Sequence, residues 1–212
     1  MCLSQDNDKK IKRKRVIFAK EVEGEKDSLK RTFGRNKDFI EQYELACLGA
    51  LKHFPELKET KIKFRYKKLK TTLAARPTPL SVFGKKKNRT YLILINKYNP
   101  QVPLDSVNFN AQVGVLGHEL AHILSYEKMS GWQIVKTGLS YQSLNYRRKM
   151  ERETDLETLR RGLGWQILDY NRFAQNYKHA TKKYLKYKKK IYLNAEEIEV
   201  TLSEEEPSSV TD

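Results

Sequence analysis

The sequence predicts an α+β fold in which a small, mainly antiparallel sheet packs on one motif-bearing helix and on a second helix beside it. Three observations lead there. Residues 61–67 (KIKFRYK) alternate polar and apolar, as a half-buried strand does. Residues 91–96 (YLILIN) form a short apolar run of strand length and composition. Two later stretches repeat apolar residues at helical spacing: Val113, Leu116, Leu120, Ile123 and Leu124, then Leu156, Leu159, Leu163, Ile167 and Tyr170. With 212 residues the chain fits a single domain around one hydrophobic core.

The elements follow in chain order. Residues 1–35 are polar and charged, and read as an irregular basic arm. Residues 37–54 read as a helix, because Phe39, Tyr43, Ala46, Cys47 and Ala50 share a face and Pro55 follows the end. After the first strand, Ala75-Arg76-Pro77-Thr78-Pro79 and Gly84-Lys85-Lys86-Lys87-Asn88 are rich in breakers and read as a loop or hairpin. Asp105 and Ser106, after Pro103, supply a start for the next helix, and Ser130-Gly131 a stop. Residues 194–212 are acidic and reach Pro207-Ser208-Ser209, the composition of a disordered tail. The folded domain is therefore expected at 36–193, between an arm at 1–35 and a tail at 194–212.

The first periodic helix carries His118-Glu119-Leu120-Ala121-His122, an H-E-x-x-H motif. Residues four apart share a helix face, so His118 and His122 can bind one metal ion. Glu119 stands one position round, where its carboxylate can reach a water on that metal and act as general base. The bland competitor is a helix with two histidines on a polar face. The chain has only four histidines, which weakens that competitor.

A catalytic zinc site normally takes three protein ligands and leaves one position open. Glu151 and Asp155 are four apart at the front of the second periodic helix and share a face. Glu151 can be the third ligand while Asp155 accepts a hydrogen bond from a histidine ligand and fixes its tautomer. Glu153 projects from another face and is the weaker choice. His179 lies far downstream among lysines, and His53 closes the upstream helix. Gly162, seven residues beyond Asp155, is expected to let this helix approach the motif helix closely. The competing reading is a solvated charged turn, since Arg147, Arg148, Lys149 and Arg152 surround the acids.

Together, His118-Glu119-x-x-His122 and Glu151-x-x-x-Asp155 resemble the gluzincin metallopeptidases. More narrowly they resemble the branch that includes the CAAX prenyl-protein endopeptidases, over roughly residues 37–175. The resemblance implies a zincin-like fold and one Zn2+ ion held by His118, His122 and Glu151, with Asp155 behind them. It implies an endopeptidase that hydrolyses a peptide or protein substrate with Glu119 as general base. By the same resemblance, a sheet-edge strand above the metal pairs with substrate backbone, a role that falls to residues 92–96 with Leu92, Leu94 and Asn96. An internal core strand is the equal competitor, the run being apolar on both faces. The oxyanion needs a further electrophile, for which Tyr141, Tyr146, Tyr170 and Arg172 are candidates, Tyr170 and Tyr146 foremost. Members of that branch usually carry transmembrane helices, and this sequence contains no apolar run of that length.

Composition bounds the partners. The net charge is +16, with lysines grouped in the arm, at 61–70, at 85–87 and at 182–190. The last group interleaves Tyr184, Tyr187 and Tyr192, a pattern seen in nucleic-acid binding. A lysine-rich solvated surface is the favoured explanation. The alternatives to the endopeptidase are a nucleic-acid-associated zinc protease on a basic scaffold and a catalytically silent zinc-binding protein. Two cysteines, Cys2 and Cys47, argue against a disulfide framework, and Cys47 reads as a core residue. No secretory signal pattern is present, so a cytoplasmic protein is expected, with Cys2 after Met1 leaving room for a trimmed lipoprotein.

Overall fold

The structure, a computed structural model, describes residues 14–205. The observed class is α+β, with four strands and eight α-helices among the described residues. Helix α1 (Ala19–Phe33) leads through β1 (Lys37–Asp38) to α2 (Glu41–Leu51), then to β2 (Lys61–Tyr66), β3 (Leu73–Pro77) and β4 (Thr90–Ile95). The long α3 (Phe109–Lys128) is followed by α4 (Gly131–Ser140) and α5 (Leu144–Thr158). A π-helical turn over Leu159–Leu163 joins α5 to α6 (Gly164–Asn176), and α7 (Lys182–Ile191) and α8 (Ala195–Glu205) complete the fold.

The strand order is β1-β2-β4-β3. β1 and β4 both run parallel to β2, and only β3 runs antiparallel, against β4. The sheet is therefore mixed rather than mainly antiparallel. The cause is β3, which overlaps the breaker-rich stretch expected to be a loop or hairpin and forms the first arm of an antiparallel hairpin with β4. Its insertion between β2 and β4 reverses the chain twice, so those two strands come to point the same way. β2 keeps the expected alternation, with Ile62 and Phe64 buried and the lysines outward. β4 is internal, with Leu92 paired to Lys63 on one side and Arg76 on the other. Leu94 is likewise flanked by Arg65 and Ala74. Asn96 is buried and donates to the carbonyls of Leu69 (2.8 Å) and Thr71 (3.3 Å). Residues 92–96 thus have no free edge to offer a substrate, and of the two readings the internal core strand is the one observed.

Both presumed appendages contain helices. The arm at 1–35 includes α1, whose Val22, Leu29 and Phe33 make a narrow buried stripe, with Glu21 in the first turn and Lys30 and Arg31 in the last. That placement complements the helix dipole. The tail at 194–212 includes α8, which buries Ile198 and Leu202. Asn194 accepts from the Glu197 N–H at 3.0 Å while Glu197 accepts from the Asn194 N–H at 2.8 Å, a reciprocal cap. Charge density hid both helices, because two or three apolar positions suffice once a core is there to cover them. Cys2, the basic run at 9–13 and residues 206–212 lie outside the described residues. α2 is shorter than expected, since Lys37 and Asp38 pair with β2. It is buried nearly all round, and Cys47 is a free core thiol there.

α3 runs through the middle, packed between α2, α5, α6 and the sheet. It starts at Asn108, whose side chain accepts the Ala111 N–H at 2.9 Å, rather than at Asp105 and Ser106, which form a separate 3-10 turn. Ser130 does not stop α3 but caps α4, in a reciprocal pair with Gln133. The last carbonyls of α3 are taken by buried Arg89, at 2.7 Å from Met129 O and 3.4 Å from Tyr126 O. The close approach to α6 is made by glycines of α3 itself. A Cβ on Gly114 would lie 2.3 Å from the Gln166 backbone, and one on Gly117 would lie 2.3 Å from Leu163 Cδ1. Gly162 has another task from the one expected. Its φ of 80° and ψ of 15° break the path between α5 and α6, a conformation glycine adopts without strain.

Candidate metal centre

α3 and α5 face each other so that His118, His122, Glu151 and Asp155 meet in the interior, each 5% exposed or less. Nε2 of His118 and Nε2 of His122 lie 3.0 and 3.1 Å from the same oxygen, Oε2 of Glu151. One ligand atom from each of the three residues lies within 4.8 Å of the others. Glu153 is exposed beside Lys149, His179 is exposed against Tyr177, and Nδ1 of His53 is paired with the Arg161 carbonyl. None of those three joins the cluster.

The outer nitrogens settle how the rings present themselves. Nδ1 of His118 lies 2.8 Å from Oδ1 of Asp155, and a carboxylate there accepts the Nδ1 proton. Nδ1 of His122 lies 3.3 Å from Oγ1 of Thr154, whose hydroxyl already donates to the Met150 carbonyl at 2.8 Å. Thr154 therefore accepts from Nδ1–H, which leaves Nε2 of His122 as a lone pair. Two nitrogen lone pairs and a carboxylate oxygen then converge on one point. In a tetrahedral zinc site with bonds of 2.0–2.1 Å, neighbouring ligand atoms stand about 3.3 Å apart. The observed separations to Glu151 need only a few tenths of an ångström of adjustment. The residues fit a divalent cation held by nitrogen and oxygen donors, with Asp155 and Thr154 as orienting partners.

Charge and burial agree with that fit. Burial works against the charged form of Glu151, but the two imidazoles overcome it and bring the carboxyl down to about 2. Burial likewise opposes protonation of His118, and Asp155 and Glu151 outweigh it, so its pKa rises. Without a metal the cluster binds protons, which a cation displaces when it binds. Glu119 behaves differently. Burial pushes its pKa up, against the pull of His118, His122 and the Ala75 backbone. Its Oε2 is buried with no hydrogen-bond partner, and a buried carboxylate oxygen in that state is matched by a water or ion that it serves.

A cavity of about 40 Å³ adjoins the cluster and is lined by His118, Glu119, Thr72, Tyr170, Lys188 and Tyr192, among others. It has room for a few waters. Its roof is the inner face of α7, where Tyr184, Lys188 and Tyr192 follow one another at four-residue spacing. The tyrosines and lysines that read as a nucleic-acid pattern thus include three residues turned to the site, and Lys182, Lys183, Lys186, Lys189 and Lys190 are exposed. Their spacing of four was the signal that could have revealed this. Tyr192 stands with its ring 5.8 Å from that of His118. Tyr170 lines the cavity as expected, but its hydroxyl donates to Thr72 Oγ1 at 2.9 Å. The Tyr146 hydroxyl instead donates to Thr137 at 3.2 Å. Tyr141 stacks beside Arg147, and Arg172 pairs with Glu199 on the exterior. Thr154, Lys188 and Tyr192 were not singled out as site residues by the sequence.

The strand beside the cavity is β3. Thr78 N donates to Thr90 O and Asn96 N donates to Thr72 O, so the even-numbered residues of β3 bond to β4. By alternation, Leu73 and Ala75 turn their backbone groups to the outer edge, where Thr71 Oγ1 already donates to Leu73 O at 2.7 Å. No helix among the described residues is long and apolar enough to cross a membrane. Comparison of the chain with family profiles, with curated proteins and with solved structures finds no match.

Proposed function

We propose that this chain is a zinc-dependent peptidase, with one Zn2+ held by His118, His122 and Glu151. The observation that carries this reading is the unpartnered, buried Oε2 of Glu119 next to three converging ligand atoms. A structural zinc site would close its fourth position with another protein ligand, commonly cysteine, and the free Cys47 lies in the core away from the cluster. Zinc in such a site polarises a carbonyl and lowers the pKa of a bound water toward neutrality.

The chain's own residues do the rest. Asp155 and Thr154 hold the two imidazoles with Nε2 inward. Glu119, whose burial keeps it a stronger base than a surface glutamate, takes the proton of the attacking water and delivers it to the leaving amine. Since Tyr170 and Tyr146 have committed their hydroxyls, Tyr192 is the phenol placed to meet developing negative charge beside His118. The outer edge of β3, not of β4, is the strand available to align a substrate backbone.

The deciding experiment is Glu119→Gln. Zinc content should stay at one ion per chain while peptide hydrolysis falls by about 10²–10⁴-fold, the usual worth of a positioned general base. Undiminished hydrolysis in that variant rejects the mechanism.

A further inference from the structure

Lys188 is the one lysine or arginine lining the cavity beside the metal cluster among the described residues. Its Nζ lies 4.5 Å from the centre of the Tyr170 ring and 5.2 Å from that of Tyr192. No carboxylate among the described residues lies within ion-pair distance of it. Two aromatic faces return only part of what an ammonium loses on leaving water, so the group keeps unspent hydrogen-bonding capacity. Lys188 and Asn171 also line a groove of about 530 Å³ between α6, α7 and α8. The ammonium thus stands at the seam between the inner cavity and an outer approach.

We infer that Lys188 is the anchor for a substrate carboxylate, binding it within the same cavity that His118 and Glu119 line. This rests on the peptidase reading above. Burial brings the pKa of Lys188 down to about 8, against the pull of Asp155 and Glu151, so the group remains mostly charged at neutral pH. The same cavity contains Glu119 and Asp155, with Glu151 close by, which disfavours a multiply charged phosphate and tolerates a monoanion. Its volume of about 40 Å³ suits one small planar group rather than a polyanionic backbone. In a peptide, such a group is either the free C-terminus or an aspartate or glutamate side chain. The small cavity favours a chain end over a strand passing through, which narrows the endopeptidase expectation toward cleavage next to a terminal residue.

The test uses the zinc-loaded full chain carrying Glu119→Gln, so that ligands survive the measurement, with and without Lys188→Met. Calorimetric titration compares acetyl-dialanine, its C-terminal amide, and an amide whose last residue is glutamate. The free acid should bind about tenfold or more tightly than the plain amide, the worth of one charged hydrogen bond. Lys188→Met should erase that preference, Lys188→Arg should keep most of it, and Lys190→Met, on the exposed face, should leave it unchanged. Tight binding of the glutamate amide assigns the site to an acidic side chain, and its absence assigns it to the chain end. Equal binding of all three ligands, no binding of any, or a preference for a carboxylate that survives Lys188→Met overturns the inference. If Lys188→Met fails to fold, Lys188→Gln replaces it, and the acid-to-amide ratio of the parent decides. Peptide hydrolysis by the protein with Glu119 intact is measured in parallel. No hydrolysis with a Lys188-dependent acid preference retires the peptidase reading alone, and hydrolysis indifferent to both carboxylate and Lys188 retires the inference alone.

Discussion

Asp155 holds His118 with one carboxylate oxygen and the Leu193 backbone with the other. Oδ1 lies 2.8 Å from His118 Nδ1, and Oδ2 accepts the Leu193 N–H at 2.9 Å. The His118, His122 and Glu151 cluster is thereby tied to the junction between α7 and α8, the same segment that roofs the cavity. Asp155→Asn keeps the shape and loses the charge that fixes the ring. Zinc affinity should fall by about 10–100-fold, the common cost of removing such a partner. Thr154→Val should lower it as well, because Nδ1 of His122 loses its acceptor. A competition titration against a chelator reads both, and unchanged affinity in both variants would remove these residues from the site.

Zinc binding should stabilise the fold, because the two ligand-bearing helices come together only in the folded state. At a free concentration one hundred times the Kd the gain is about 2.7 kcal/mol, which for a chain of this size is roughly 5–10 °C in Tm. Thermal melts with and without added zinc measure it. Chelation should reverse the gain, and Glu151→Gln should abolish most of it. A melting temperature indifferent to zinc contradicts the assignment.

Gly114→Ala tests the packing that places the motif helix. The added methyl would meet backbone atoms of Gln166 and Ile167 at 2.3–2.5 Å, and backbone cannot swing aside as a side chain can. The cost should reach about 3 kcal/mol, the upper part of the usual overpacking range. Gly117→Ala meets the end of a leucine side chain instead and should cost less. Chemical denaturation of the two variants gives the order, and equal stabilities would contradict the geometry.

Acid should loosen the roof of the site before it unfolds the core. The hydrogen bonds from Arg152 hold the Glu197 carboxyl below its ordinary value of 4.5. A depressed carboxyl stabilises the fold above the unfolded value and loses that contribution as pH falls through the folded one. Arg152 also donates to the Tyr192 carbonyl at 3.3 Å, so the pair joins α5 to both α7 and α8. Amide exchange in residues 192–199 should quicken below about pH 4.5 relative to α3. Glu197→Gln should show that faster exchange already at neutral pH. Uniform protection across both regions at acid pH would count against it.

The group of residues that could hold a metal was legible in the sequence because its geometry is local. Residues four apart on a helix must share a face, so His118 with His122 and Glu151 with Asp155 are paired before any fold exists. Glu151 as the candidate for a third ligand followed from the donor chemistry that zinc needs. β2 was legible for the same reason, as alternation reports one buried face directly.

What the tertiary structure alone decided was which surface covers which. Periodicity marks the buried face of an element and says nothing of its partner. The order β1-β2-β4-β3 made β4 internal and put β3 at one edge of the sheet, a segment whose prolines had hidden it. α1 and α8 bury few residues each and stand only because a core is present to receive them. Lys188 of α7 and Tyr192 just beyond it reach the His118, His122 and Glu151 cluster, more than sixty residues beyond the motif, through contacts that depend on chain folding rather than on local spacing. The sequence determined what the centre can hold; long-range packing decided what stands over it.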